Sequence, residues 1–193
     1  MSQSILLRLF AVAAVLLPSF AYAHVGVGET SGFLHGLTHP ASGLDHACAM
    51  LAVGLWAAQM GGRSLWAVPL TFVGVMALGG ILAMSGIGLL FVEQGILLSV
   101  LLLGVLIAAS IRLPLWLGCG MTGMFALWHG YAHVAEMPQP ASWVGYAMGF
   151  MLMTALLHIA GIAFGFWVQR RFRERLVHAA GACIALIGVY LAV

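Results

Sequence analysis

From residue 40 to the end, long apolar runs are broken at short intervals by glycine, proline or arginine. Six of these runs reach or approach the ~20 residues a helix needs to cross a bilayer. They lie near 40–60, 65–84, 90–110, 113–134, 141–168 and 175–193. Gly61-Gly62 and Ser85-Gly86 separate the first three, Pro114 opens the fourth, and Pro138-Gln139-Pro140 divides the fourth from the fifth. The pattern predicts an all-α, polytopic membrane bundle of six transmembrane helices. Pro40 suits the first helical position of span one, where a missing N–H goes unused.

The first 23 residues follow a different grammar. Arg8 and the amino terminus form a positive start, Leu9 to Leu17 an apolar stretch too short to span, and Pro18 a helix break. Ala21-Tyr22-Ala23 then supplies the small residues of a cleavage site, so residues 1–23 read as a secretory signal peptide. Cleavage after Ala23 leaves 24–193 as one six-span transmembrane domain and His24 as its amino terminus. There an α-amine and an imidazole can chelate a metal together.

Composition agrees with lipid as the solvent: 63 % of residues are hydrophobic and 6 % charged, with a mean hydropathy of +1.10. The net charge of +2 is too small to argue for a nucleic-acid partner. No glycine-rich phosphate loop is present, and 193 residues leave no room for a separate soluble domain. The three cysteines, at 48, 119 and 183, are far apart in apolar runs and without CxxC spacing. They read as small buried apolar residues, and only Cys48, two residues after His46, lies near other chemistry.

The few charges set the orientation. Arg63, Arg112, Arg170, Arg171, Arg173 and Arg175 all fall in the connections after spans one, three and five, whereas Glu29, Glu93 and Glu136 occupy the others. The positive-inside rule makes the arginine side cytoplasmic. Both mature termini are then periplasmic, which the signal peptide implies independently, and the protein is a multi-pass resident of a bacterial inner membrane. Gly145 and Gly149, Gly161 and Gly165, and Gly118 and Thr122 form small-xxx-small pairs on spans five and four, which let helices approach closely. A homo-oligomer is compatible with this pattern.

Ionisable groups at membrane depth are expensive and need a reason. Here they gather in two windows. His35-Gly36-Leu37-Thr38-His39 runs into Pro40-Ala41-Ser42-Gly43-Leu44-Asp45-His46 at the head of span one, and His129-Gly130-Tyr131-Ala132-His133 is followed by Glu136 at the end of span four. Residues four apart share a helix face, so His129 and His133 point the same way and Glu136 continues the stripe. Under the predicted topology both windows lie in the outer third of the membrane, as two halves of one site. Imidazole with carboxylate suits zinc, nickel, copper(II) or iron(II) rather than magnesium or calcium. The candidate ligands are His24, His35, His39, Asp45, His46, His129, His133 and Glu136, with Asp45 also able to orient a ligating histidine. His158 lies deep in span five, either lining a path onward or bonding another helix.

Three functions fit such a cluster. A permease would admit a divalent ion through exchangeable ligands, holding no permanently bound cofactor. An intramembrane hydrolase would use three ligands and an activated water, with Asp45 or Ser42 assisting. A membrane cytochrome would use facing histidines as haem ligands.

The two windows resemble motifs of the HupE/UreJ family of nickel/cobalt permeases. His39-Pro40-Ala41-Ser42-Gly43-Leu44-Asp45-His46 is similar to that family's HPxxGxDH, and His129-Gly130-Tyr131-Ala132-His133 with Glu136 to its FHGxAHGxE. Trp128 stands where the motif has Phe, and Val134 where it has its second Gly. The signal peptide, the mature end at His24 and the six spans extend the resemblance over essentially the whole chain. The resemblance implies a transporter rather than an enzyme, with nickel or cobalt as transported substrate and a link to hydrogenase or urease maturation.

Overall fold

The segment joining the first histidine window to span one is bent, and the bend places the chemistry. The computed structural model describes residues 30–135, 137, 142–172 and 175–193. The signal peptide, His24 and Glu136 therefore lie outside the described residues. Helix α1, Thr30–Ser42, meets α2, Leu44–Met60, at an angle of 80°. Pro40 sits inside the last turn of α1 rather than opening span one. Its missing N–H weakens the ladder there, and Ser42 Oγ donates to His39 O at 2.7 Å, occupying another carbonyl at the helix end. Gly43 is then extended (φ −86°, ψ 121°), and Ala47 N–H donates to Gly43 O at 2.9 Å to start α2. Asp45 and His46 accordingly lie in the first turn of α2. They are not a further turn and a half down a continuous helix, as a start at Pro40 implied.

Five more helices follow: α3, Ser64–Met84; α4, Val92–Ala108; α5, Leu115–Ala135; α6, Trp143–Phe172; and α7, Arg175–Ala192. Their limits fall close to the five remaining apolar runs, and no strand occurs among the described residues. By length and apolarity α3, α6 and α7 can each cross a membrane, and the bent pair α1 and α2 together has the length and apolarity of a broken span or a re-entrant loop. The apolar α4 is shorter, at 17 residues. At the α2–α3 turn Gly61 (φ 71°) and Gly62 (φ 55°) both adopt the left-handed region, which explains the glycine pair.

Helix α2 is central, with 12 of its 17 residues buried, and α6, α4 and α3 pack around it. Outside this layer α3 lies against α5, α4 against α7, and α1 against α6. Glycine makes four of these crossings close, α3–α5, α2–α6, α1–α6 and α4–α7. Gly130 of α5 rests on the Met76 carbonyl of α3 while Gly79 of α3 rests on the Leu127 carbonyl of α5; Gly54 of α2 and Gly161 of α6 form the same reciprocal contact with His158 and Leu51. Small residues permit such backbone approach where apolar burial offers no driving force between helices. The surface is correspondingly apolar: Trp66, Leu70, Trp116 and Leu186 are each more than half exposed, while His46, Gln59, Ser99, Thr122, His129, His133, Thr154 and His158 are buried. A polar interior inside an apolar shell is the arrangement of a protein in lipid.

The end of α2 opposite the histidines is tied by a polar cluster. Gln59 Nε2 donates to Ser110 Oγ at 2.9 Å and to Ile107 O at 3.1 Å, and Trp56 Nε1 donates to Ile111 O at 2.9 Å. His178 Nε2 lies 2.7 Å from Ser110 Oγ, which joins α7 to the same knot. Ser110 pays for this position with a left-handed backbone, φ 54°.

Candidate metal centre

Three histidines from two helices converge just inside the α1–α2 bend. His46 comes from the first turn of α2, and His129 and His133 from one face of the last turns of α5. All three are buried, and one potential ligand nitrogen from each lies within 4.8 Å of the others. The ring centroids of His46 and His133 are 4.1 Å apart, and those of His46 and His129 4.8 Å. Metal–nitrogen bonds of ~2.0–2.1 Å place ligand nitrogens roughly 3–4 Å apart. Small side-chain adjustments would therefore let the three close on one ion.

The hydrogen bonds show which nitrogens are available. His46 Nδ1 lies 2.8 Å from Asp45 Oδ1, and the same oxygen accepts the His46 backbone N–H at 2.7 Å. A carboxylate only accepts, so Nδ1 carries the proton and Nε2 keeps its lone pair. His129 Nε2 lies 2.9 Å from Ser99 Oγ, whose own hydroxyl proton goes to Ile96 O at 2.6 Å. Ser99 must then accept from His129, which leaves Nδ1 as the acceptor nitrogen. His46 Nε2, His129 Nδ1 and both nitrogens of His133 have no hydrogen-bond partner among the described residues. Buried polar atoms normally find partners, so one unpartnered nitrogen from each of three neighbouring histidines fits a cation-binding role.

The other residues singled out from the sequence are placed as follows. His39, half-buried on α1, lies at the rim, its ring centroid 4.8 Å from that of His133 and 6.4 Å from that of His46. Tyr146 of α6 is next to it at 6.0 Å, stacked on Phe150, whose ring is 3.7 Å from His133. Asp45 reaches the group through His46. His35 is one turn earlier on α1 and is not part of the three-histidine group. Cys48 packs with Ala49 and Val100 on the far side of α2. Ser99 was missed by sequence reasoning; its signal is a lone hydroxyl in the apolar run Ile96 to Val105.

The motif glycines have packing roles. Gly36 of the first HGxxH lies on the Tyr146 backbone, and Gly130 of the second on the Met76 backbone. Each seats its neighbouring histidines against the bundle. Gly43 has a different duty: a Cβ there would come 2.9 Å from Asp45 Oδ1 and 3.3 Å from His46 Nδ1.

The sequence matches the family described as HupE / UreJ protein over residues 12–191. The chain belongs to the HupE/UreJ family. It is 43 % identical over 182 residues to Protein HupE of Rhizobium leguminosarum bv. viciae, covering 94 % of this chain and 95 % of that one. No solved structure matches it. The two HupE/UreJ motif departures are accommodated locally. Trp128 covers Gly95 and donates to Leu90 O at 3.2 Å, and the Val134 methyl lies over Gly80, 3.0 Å from where a Cβ would stand. A β-branched residue at 134 is thus matched by a missing side chain on α3.

Proposed function

We propose that this HupE/UreJ protein imports a divalent transition-metal ion, nickel or cobalt, across the bacterial inner membrane. The observation carrying this reading is the buried His46, His129 and His133 group, with one ligand nitrogen from each within 4.8 Å and each retaining an unused lone pair. In this reading residues 1–23 are a cleaved signal peptide, the mature chain spans six times, and both its termini are periplasmic. His39 and Asp45 face the periplasm above the triad. His24, His35 and Glu136 serve as further ligands for which the ion exchanges its water. The imidazoles replace the remaining hydration, and three neutral donors hold the ion loosely enough to release it. No protein cofactor is required, and one chain supplies every ligand. The imported ion would serve hydrogenase or urease assembly, as the family name suggests.

The packing of the rings speaks against the haem reading. Histidine rings with centroids 4.1–4.8 Å apart leave no slot for a porphyrin between them. The test is uptake by proteoliposomes offered nickel, cobalt, zinc and copper side by side. Nickel or cobalt should enter fastest, and His129→Ala should lower uptake by roughly tenfold or more while the protein still inserts. Normal uptake by His129→Ala would refute the site.

A further inference from the structure

The triad is not the end of the buried polar groups. Moving inward from it, three helices each place two side chains four positions apart on one face: His46 then Met50 on α2, Thr154 then His158 on α6 and, because α3 runs the opposite way, Met76 then Phe72 on α3. A spacing of four is about one turn, ~6 Å of rise, and keeps the pair on one stripe. These six side chains are all buried. Thr154 Oγ1 donates to Met50 Sδ at 3.3 Å and lies 3.8 Å from Met76 Sδ, so α2, α3 and α6 meet at one point. The Phe72 ring is 5.6 Å from His129 and 5.2 Å from His158, linking the triad layer to the deeper one.

His158 is the feature needing an account. It is 1 % exposed, and neither ring nitrogen has a hydrogen-bond partner among the described residues. A purely structural residue at this place would be served better by Phe or Leu, because a buried polar group without a hydrogen bond has lost its water and gained nothing in return. The Gly54 contact on its carbonyl fixes the α6 backbone at this level. The imidazole itself meets the Phe72 ring edge to face, and its nitrogens remain unused.

We infer that His158, with Met50, Met76 and Thr154, forms an inner ion position that receives the metal from the triad. This rests on the transport reading above. Thioethers and one imidazole are weak, fairly soft donors: they accept nickel, cobalt or copper, discriminate against magnesium and calcium, and do not trap the ion. Thr154 gives up only a weak sulfur hydrogen bond when its oxygen turns to the ion. A second position of weakly held mixed donors inside the triad gives the ion an intermediate step on its way through, and neither position binds tightly enough to trap it.

The test pairs nickel(II) binding with nickel uptake on the full-length protein in lipid. His158→Phe should keep nickel binding at the triad within about twofold and lose uptake by roughly tenfold or more, and His158→Cys, which restores a donor, should regain much of it. Uptake by His158→Phe near the wild-type rate overturns the inference. So does a loss that His158→Cys fails to recover, since that marks a packing role against Phe72. Should His158→Phe lose triad binding through misfolding, the near-isosteric Met50→Leu/Met76→Leu pair decides: slowed uptake supports the inner position, and unchanged uptake removes it. If the wild type binds nickel but does not transport it, the permease reading falls separately. The inner position then stands only if the wild type binds a second nickel ion that His158→Phe lacks.

Discussion

Ser99 Oγ accepts a hydrogen bond from His129 Nε2–H at 2.9 Å and donates its own to Ile96 O at 2.6 Å. One hydroxyl on α4 thereby fixes the tautomer of an imidazole on α5 and turns Nδ1 toward the other two histidines. Ser99→Ala removes the acceptor and leaves a buried N–H unpaired. Nickel affinity should fall about 10–100-fold, the usual effect of removing a hydrogen-bond partner behind a ligand. A binding titration on the purified protein checks this, and unchanged affinity would show that tautomer control is irrelevant here.

Asp45 acts on His46 in a similar way but also carries charge. Asp45→Asn keeps an acceptor oxygen for Nδ1–H and loses the charge, whereas Asp45→Ala loses both. Affinity for nickel should therefore fall in the order wild type, Asn, Ala, with the Ala variant down about 10–100-fold. Equal loss in the two variants would assign the whole effect to charge and none to orientation. The measurement is the same titration, run at two salt concentrations to separate the screened, long-range part.

Gly43 offers a test of the bend itself. Its φ of −86° is open to any residue, so the requirement is space rather than backbone freedom. An added methyl would press on Asp45 Oδ1 and His46 Nδ1. Gly43→Ala should leave the thermal midpoint nearly unchanged and weaken nickel binding by roughly tenfold. A large loss of stability with intact binding would contradict this account.

Much of this was legible in advance because lipid imposes simple rules. The limits of α3 to α7 fall within four residues of the apolar runs, since a helix in hydrocarbon must satisfy its own backbone. The two histidine windows were readable because ionisable groups are rare at that depth. The kink was not. Pro40 was assigned to a helix start because Pro is favoured there, yet the same residue is tolerated in the last turn of a helix about to end at Gly43. Ser99 escaped notice because a single hydroxyl in an apolar run usually bonds its own helix, and Ser99 does that as well. Its role with His129 depends on a tertiary contact 30 positions away.

The α3–α5 crossing should be intolerant of even one methyl. A Cβ on Gly130 would overlap the Met76 carbonyl, which is backbone and cannot turn aside. Gly130→Ala forces the two helices apart, and overpacking of this kind costs about 1–3 kcal/mol. Because His129 and His133 flank the crossing, nickel affinity should fall together with the thermal midpoint. Gly120→Ala, on the same helix at a position with nothing nearby, should change neither. Loss in both variants would point to general helix sensitivity instead of this contact.

The direction of transport depends on which end of the bundle faces out. Chain direction puts the triad at the start of α2 and the end of α5, and Arg63, Arg112, Arg170 and Arg171 at the opposite end. Arginine-rich connections stay cytoplasmic, so the triad should open to the periplasm, where an importer must collect its ion. The prediction can be checked in a background lacking Cys48, Cys119 and Cys183 that still takes up nickel. Ser85→Cys and Glu93→Cys should react with an impermeant thiol reagent on intact spheroplasts, and Arg63→Cys and Arg112→Cys only after lysis. Each arginine is removed singly so that the remaining ones still set the orientation. Labelling of Arg63→Cys on intact spheroplasts would place the triad at the cytoplasmic face. The same histidines would then load from inside, and the protein would have to be read as an exporter.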